Sequence, residues 1–196
     1  ELQQVLSWVS GGRPVSIVGP RRIGKTSLLL RLLDSEERAK YDEHKLVDNF
    51  VFVDCDFLEL QSDYSKSEVY HWLLKKVIRK VRKNQVADCV SERLITYKDF
   101  KERINEIVAL EHKSFVLLFD EFDKVINLHR LDKDFFDGLR DLGQAGKVIF
   151  VTSSVKTLSA LSFQDVYIPI HPFFNIFTQV RLGFFESCEV TELIND

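Results

Sequence analysis

The 196-residue chain contains no methionine, not even at its first position, Glu1. It is therefore read as a piece cut from a longer chain. Cysteine is scarce: Cys55, Cys89 and Cys188 are an odd, widely spaced set with no C-x-x-C pair, which excludes a disulfide framework and a zinc ribbon and fits reduced thiols. Five histidines make no H-E-x-x-H or comparable ligand spacing. Neither sign of charge dominates, because 27 Lys and Arg face 30 Asp and Glu for a net charge of -3. That removes any overall drive toward nucleic acid or an anionic membrane, so such a partner would need a local patch. No apolar run reaches the about 18–20 residues that span a bilayer, and the residues from Glu1 onward are not a charged start followed by a signal-peptide core. A cytoplasmic protein without a membrane partner is expected. What remains, 45% hydrophobic and 29% charged residues, is ordinary globular composition with enough chain for one domain and its core.

Short apolar runs alternate with helical patterns, the mark of βαβ units and a mainly parallel sheet. Strands are expected at Val15 to Val18, Phe50 to Cys55, Phe115 to Phe119, Val148 to Val151 and Val166 to Ile170. Between them the spacing predicts helices from Thr26 to Leu33, Ser67 to Lys83 and Tyr97 to Leu110, and one carrying Phe135, Phe136, Leu139 and Leu142. Phe115 to Phe119 is apolar throughout, as a strand covered on both faces should be. After Gly183 a new helix opens with acids in its first turn.

Gly19-Pro20-Arg21-Arg22-Ile23-Gly24-Lys25-Thr26 fits G-x-x-x-x-G-K-[ST], directly after a predicted strand and before a predicted helix. Each residue type has a chemical reason. The glycines let the backbone wrap a phosphate so that successive N–H groups and the helix N-terminus face the anion. Lys25 reaches the β and γ phosphates, Thr26 offers a hydroxyl to Mg²⁺, and Ser27 follows in the same nucleotide-binding turn. The alternative is a glycine-rich turn that only joins strand to helix. Arg21 and Arg22 occupy positions that need only backbone N–H groups, so their side chains either touch a phosphate or stand in solvent.

Phe115 to Phe119 delivers Asp120 and Glu121 at a strand end, beside the phosphate loop if the two strands are neighbours. Asp120 would hold Mg²⁺, and Glu121 would orient or deprotonate an attacking water. Asp123 is read as a surface or helix-start acid, and Asp54 and Asp56 as mostly solvated. The additional strand Phe50 to Cys55 lies between loop and acids, and no N-K-x-D guanine motif is present. ATP or ADP is therefore the expected ligand. Thr152, Ser153 and Ser154 end a strand on the same edge, either to sense a γ phosphate or to cap a following helix. Lys75, Lys76, Arg79, Lys80, Arg82 and Lys83 crowd one helix, a nucleic-acid patch or a solvated face. His171 to Phe177 is rich in aromatic residues, for a partner or for the core.

The runs GPRRIGKTSLL, FVLLFDEFD, VIFVTSS and PFFNIF…VRLGFFE resemble the AAA-like ATPase domain of STAND proteins, signal-transduction ATPases related to the archaeal ATPases and, more distantly, to origin-recognition ATPases. The resemblance implies a three-layer P-loop core with an additional strand over residues 1–183, and a helical lid beginning at 184–196. It also implies a nucleotide-controlled switch in signalling or defence, working with other domains of the same chain and through nucleotide-dependent homo-oligomers. Lys25 and Thr26 then match the phosphate and magnesium positions, Asp120 the magnesium-water position, Glu121 the catalytic acid, and Thr152 to Ser153 the sensor. With Val155 and Lys156 next, the sensor lacks the family's arginine. Two alternatives remain open: a DNA-associated ATPase of the origin-recognition kind, and a module that holds ADP without turnover.

Overall fold

The computed structural model describes residues 1–41, 46–82, 95–160 and 171–184. Strands β1 (Val15–Val18), β2 (Phe50–Asp56), β3 (Ser114–Asp120), β4 (Val148–Ser154) and β5 (Thr178–Arg181) form one sheet in the order β2-β3-β4-β1-β5. Every neighbouring pair is parallel. A strand with neighbours on both sides and helices over both faces has no solvent-facing position, and its sequence must be apolar without alternation. That is why all of β1 and β4, and β3 from Phe115 onward, are buried. The edge strands β2 and β5 mix buried with exposed residues.

Among the described residues six helices flank the sheet: α1 (Leu2–Ser10), α2 (Lys25–Leu33), α3 (Ser35–Tyr41), α4 (Lys66–Val81), α5 (Tyr97–Glu111) and α6 (Lys133–Gln144). The two-residue period of each strand sorts its side chains between two cores. On one face Leu2, Val5, Leu6 and Val9 of α1 and Leu28, Leu29 and Leu32 of α2 pack with Ile17, Val116, Leu118 and Val151. On the other, α4, α5 and α6 bring Val69, Leu73, Phe100, Ile104, Phe136 and Leu139 against Leu117, Phe119 and Phe150. The result is a three-layer α/β sandwich, as predicted. Ser65 with Glu68 and Thr96 with Asp99 form capping boxes that start α4 and α5, and Asp132 accepts the Phe135 amide at 3.2 Å to start α6. No described helix is long and apolar enough to cross a membrane.

Several expectations are revised. The strand expected at Val166 to Ile170 lies outside the described residues, as do most of the expected lid opening and the Lys83 end of the basic helix. The fifth strand of the sheet is instead Thr178–Arg181, paired with β1. β1 and β3 are not neighbours, because β4 lies between them, while the additional strand β2 sits on the outer edge beside β3. The aromatic stretch after His171 is core: Phe173 and Phe174 are buried, and Phe173 meets the rings of Phe122, Phe136 and Phe150. Helices α1 and α3 were not anticipated.

Candidate functional site

At the C-terminal edge of the sheet, β1 ends in the loop Gly19 to Gly24 and α2 begins at Lys25. Gly24 is the residue before the helix and has φ 100°, a left-handed conformation that strains any side-chain-bearing residue. Gly19 is required for a different reason. A Cβ there would lie 2.9 Å from Ile23 Cγ2 and 3.1 Å from the carbonyl oxygen of Leu182, just past β5. The Leu182 amide in turn donates to the Val18 carbonyl at 2.9 Å, so the end of β5 buttresses the base of the loop. Arg22 is also left-handed, with φ 63°, and Pro20, Arg21 and Arg22 are exposed on the outer turn while Ile23 is half-buried. The loop thus curls around the α2 N-terminus, whose first amides have no acceptor within the helix and carry the positive end of its dipole.

Lys25 is buried, and its ammonium donates to the carbonyls of Gly19 at 2.9 Å and Pro20 at 2.8 Å. One residue on, Thr26 Oγ1 donates to Asp120 Oδ2 at 2.8 Å, joining the start of α2 to the end of β3. Thr26 and Ser27 are exposed at the helix mouth. Asp120 is buried, and its other oxygen, Oδ1, accepts from the Ser153 hydroxyl and from the Glu121 amide, the latter at 2.9 Å. Ser153 Oγ also accepts from the Glu121 amide at 3.2 Å. Glu121 itself is left-handed, with φ 49° and ψ 40°. For a residue with a Cβ that conformation costs about 1–2 kcal/mol, and the hydrogen bonds around its amide offset the strain.

The period of β4 decides which of its three hydroxyls joins the site. Ser153 follows Ile149 and Val151 on the α2 face, where Asp120 also lies as the continuation of Val116 and Leu118. Thr152 and Ser154 fall on the opposite face; Ser154 Oγ donates to the Lys156 carbonyl at 2.6 Å. Among the described residues, none of the three hydroxyls accepts an amide of a helix that follows β4. Of the remaining acids, Asp56 accepts the Leu58 amide at 2.9 Å in a local turn, Asp54 is exposed, and Asp123 lies in the turn Phe122–Asn127.

The constellation brings Lys25, Thr26, Asp120, Glu121 and Ser153 together, with a backbone cradle around them. What sequence reasoning missed is the buttress at Leu182, since a short strand with one buried residue, Val180, leaves little pattern to find. On α4, Lys76 donates to Glu59 at 2.6 Å and stands over the Trp72 ring, leaving Arg79, Lys80 and Arg82 as exposed cations of that helix.

The sequence model of the AAA-like domain family matches residues 3–196. No curated protein matches the chain. Among solved structures, the ORC2 protein of Aeropyrum pernix in its ADP form is similar with a TM-score of 0.68 at 14% identity, over 99% of this chain and 49% of that one. A Walker-type ATPase of Pyrococcus abyssi gives 0.63 at 15% identity, over 99% of this chain and 55% of that one. The ORC1 protein of A. pernix, solved in complex with DNA, gives 0.61 at 12%, over 99% of this chain and 47% of that one. This chain spans about half the length of each, and at these identities the likeness is one of fold.

Proposed function

The chain belongs to the AAA-like domain family, and from that premise we propose that residues 1–183 bind ATP or ADP with Mg²⁺ and hydrolyse ATP slowly, as the switch module of a larger signalling protein. The observation that carries the reading is the hydrogen bond from Thr26 to Asp120, 2.8 Å long between residues 94 apart in the chain. A hydroxyl and a carboxylate oxygen side by side, next to a buried ammonium and a left-handed glycine, are the donor set a magnesium nucleotide requires. The residues fit the ligand. Backbone N–H groups from Arg21 to Ser27 would hold the phosphates, with Lys25 turning its ammonium from the loop carbonyls toward them. Thr26 and Asp120 would hold the metal, which when bound neutralises phosphate charge. Glu121 would take a proton from water. Residues 184–196 would open a helical lid, and other domains of the same chain, with nucleotide-dependent homo-oligomers, would read out the state.

Calorimetric titration of Mg·ATP into protein stripped of nucleotide tests this. Wild type is expected to bind and Lys25→Ala to lose binding; a wild type that binds nothing sinks the proposal. Slower hydrolysis in Glu121→Gln than in wild type would separate an ATPase from a static ADP holder. A second reading, a DNA-associated ATPase of the origin-recognition type, draws on the exposed Arg79, Lys80 and Arg82 and on the ORC1 structure solved with DNA. It predicts an affinity for duplex DNA that falls steeply with salt.

A further inference from the structure

We propose that His171 is a proton-operated latch on the nucleotide loop: neutral, it holds the turn that leads into β5, and on taking up a proton it releases that turn and, through β5, the backbone at Gly19. The consequence for nucleotide rests on the site reading above; the latch itself does not. His171 is 2% exposed and precedes the short 3-10 helix Pro172–Ile176, whose Phe173 amide donates to its Nδ1 at 3.2 Å. A neutral imidazole has one N–H and one acceptor nitrogen, so an accepting Nδ1 puts the proton on Nε2. Nε2 lies 3.2 Å from Asp137 Oδ1 but out of line for a hydrogen bond. Protonation places a second N–H on Nδ1, against the Phe173 N–H, and a positive charge at a helix N-terminus. The cap is then lost, and a buried amide is left without an acceptor. Serine, threonine and asparagine, the usual residues at such a position, accept at any pH; histidine accepts only while neutral.

The charges around the ring set when this happens. Among the described residues α6 brings Asp137, Lys133 and Arg140 toward it, while the 3-10 turns Leu158–Ala160 and Pro172–Ile176 carry no charge. Burial, with Lys133 and Arg140 assisting, outweighs Asp137 and holds the imidazole below its ordinary range, so the neutral cap prevails near pH 7 and fails in acid. The release has a path to the loop. The turn carries Phe173 and Phe174 into the core and runs into β5, whose one buried residue, Val180, gives it little anchorage of its own. β5 is held by pairing along β1, from the Thr178 amide on the Pro14 carbonyl at 2.8 Å to the Leu182 amide on the Val18 carbonyl at 2.9 Å. The Leu182 carbonyl oxygen in turn packs 3.1 Å from where a Cβ of Gly19 would stand. A turn that frays at His171 therefore loosens the buttress, and the base of the loop with it.

Amide hydrogen exchange of the intact protein, without nucleotide and from pH 8 to 5, tests the latch, each rate being taken relative to the unfolded chain at the same pH. In wild type the protection of the Phe173 and Leu182 amides is expected to fall about tenfold or more toward pH 5, with buried Leu73 of α4 unchanged. His171→Asn keeps an acceptor that does not titrate and should hold protection level. Asp137→Asn keeps the histidine, removes the carboxylate that favours its protonation, and should move the fall to lower pH. The Kd for Mg·ADP should rise between pH 8 and 5 about fivefold more in wild type than in His171→Asn, a comparison that cancels the ligand's own ionisation. Phe173 protection that stays level in wild type overturns the proposal, as does a Leu182 amide that stays protected while Phe173 loosens. A fall at unchanged pH in Asp137→Asn overturns it too, and decides the matter even if His171→Asn does not fold. An equal rise of Kd in both proteins overturns the coupling to nucleotide. Should stripped wild type bind no Mg·ADP at pH 8, the site reading fails separately, and the exchange data still decide the latch.

Discussion

Replacing Lys25 by methionine separates what this residue does for the fold from what it does for a ligand. The ammonium is 5% exposed and its two acceptors, the Gly19 and Pro20 carbonyls, are neutral. Burying an ammonium costs several kcal/mol, and two hydrogen bonds from a charged donor return about 1.5–3 kcal/mol each, so the opposing contributions cancel to within about 2 kcal/mol. Methionine has a similar length and no charge. The ligand-free variant is therefore expected to stay within about 2 kcal/mol of wild type, in either direction. The ligand contribution does not cancel. At a hundredfold excess over Kd, Mg·ADP stabilises wild type by about 2.7 kcal/mol. For a chain of this size each kcal/mol moves Tm by about 2–4 °C, so wild type should melt about 5–11 °C higher with ligand and Lys25→Met within about 1 °C of its ligand-free value. Melts followed by circular dichroism, on protein stripped of nucleotide, measure both. A variant that keeps the wild-type ligand shift refutes the assignment of Lys25. A ligand-free variant melting more than about 10 °C lower would make Lys25 a structural staple of the loop.

Phe173→Ala should cost about 3–5 kcal/mol in urea unfolding, because the ring is fully buried among Phe122, Phe136 and Phe150; a cost below about 1 kcal/mol would contradict its core placement. Gly24→Ala meets no atom within 4 Å, so its whole effect should come from the φ of 100°: about 1–2 kcal/mol of strain and weakened nucleotide binding, against no change if the loop relaxes freely. Burial holds the His171 imidazole below its ordinary pKa, against the pull of Asp137 at 3.2 Å, with the imidazole Nδ1 accepting the Phe173 amide at 3.2 Å. The unfolded chain then binds the proton more readily, so stability should rise with pH from the lowered folded pKa up to about 6.5 and level off above. His171→Asn keeps an acceptor for that amide and should flatten this rise; urea melts from pH 5 to 8 showing the same slope in both would refute it.

Much of this was legible because the relevant physics is local. The loop Gly19 to Thr26 is fixed by the conformational needs of Gly24 and the helix that starts at Lys25, both adjacent in sequence. The buried strands β3 and β4 announced themselves by continuous apolar residues; the capping pairs at the starts of α4 and α5, Ser65 with Glu68 and Thr96 with Asp99, are equally local, although the expected helices rest on apolar spacing alone. Helix α1 carries a local signal too, since Leu2, Val5, Leu6 and Val9 recur at helical spacing. β5 was not: Thr178 and Gln179 carry no apolar signal, and the segment is a strand because β1 supplies its partners. The His171 to Phe177 stretch could not be assigned from composition, as buried and partner-binding aromatics look alike until a neighbouring core is present.

The sequence by itself determined the residue types of the site, their order, and the alternation of strand and helix, since these follow from short-range sterics, hydrogen bonding and periodicity. Only the tertiary structure decided that β4 lies between β1 and β3, and with it that Ser153 rather than Thr152 or Ser154 meets Asp120. Strand order and register are settled by burying two faces of one sheet at once, a condition on the whole chain that no local segment contains.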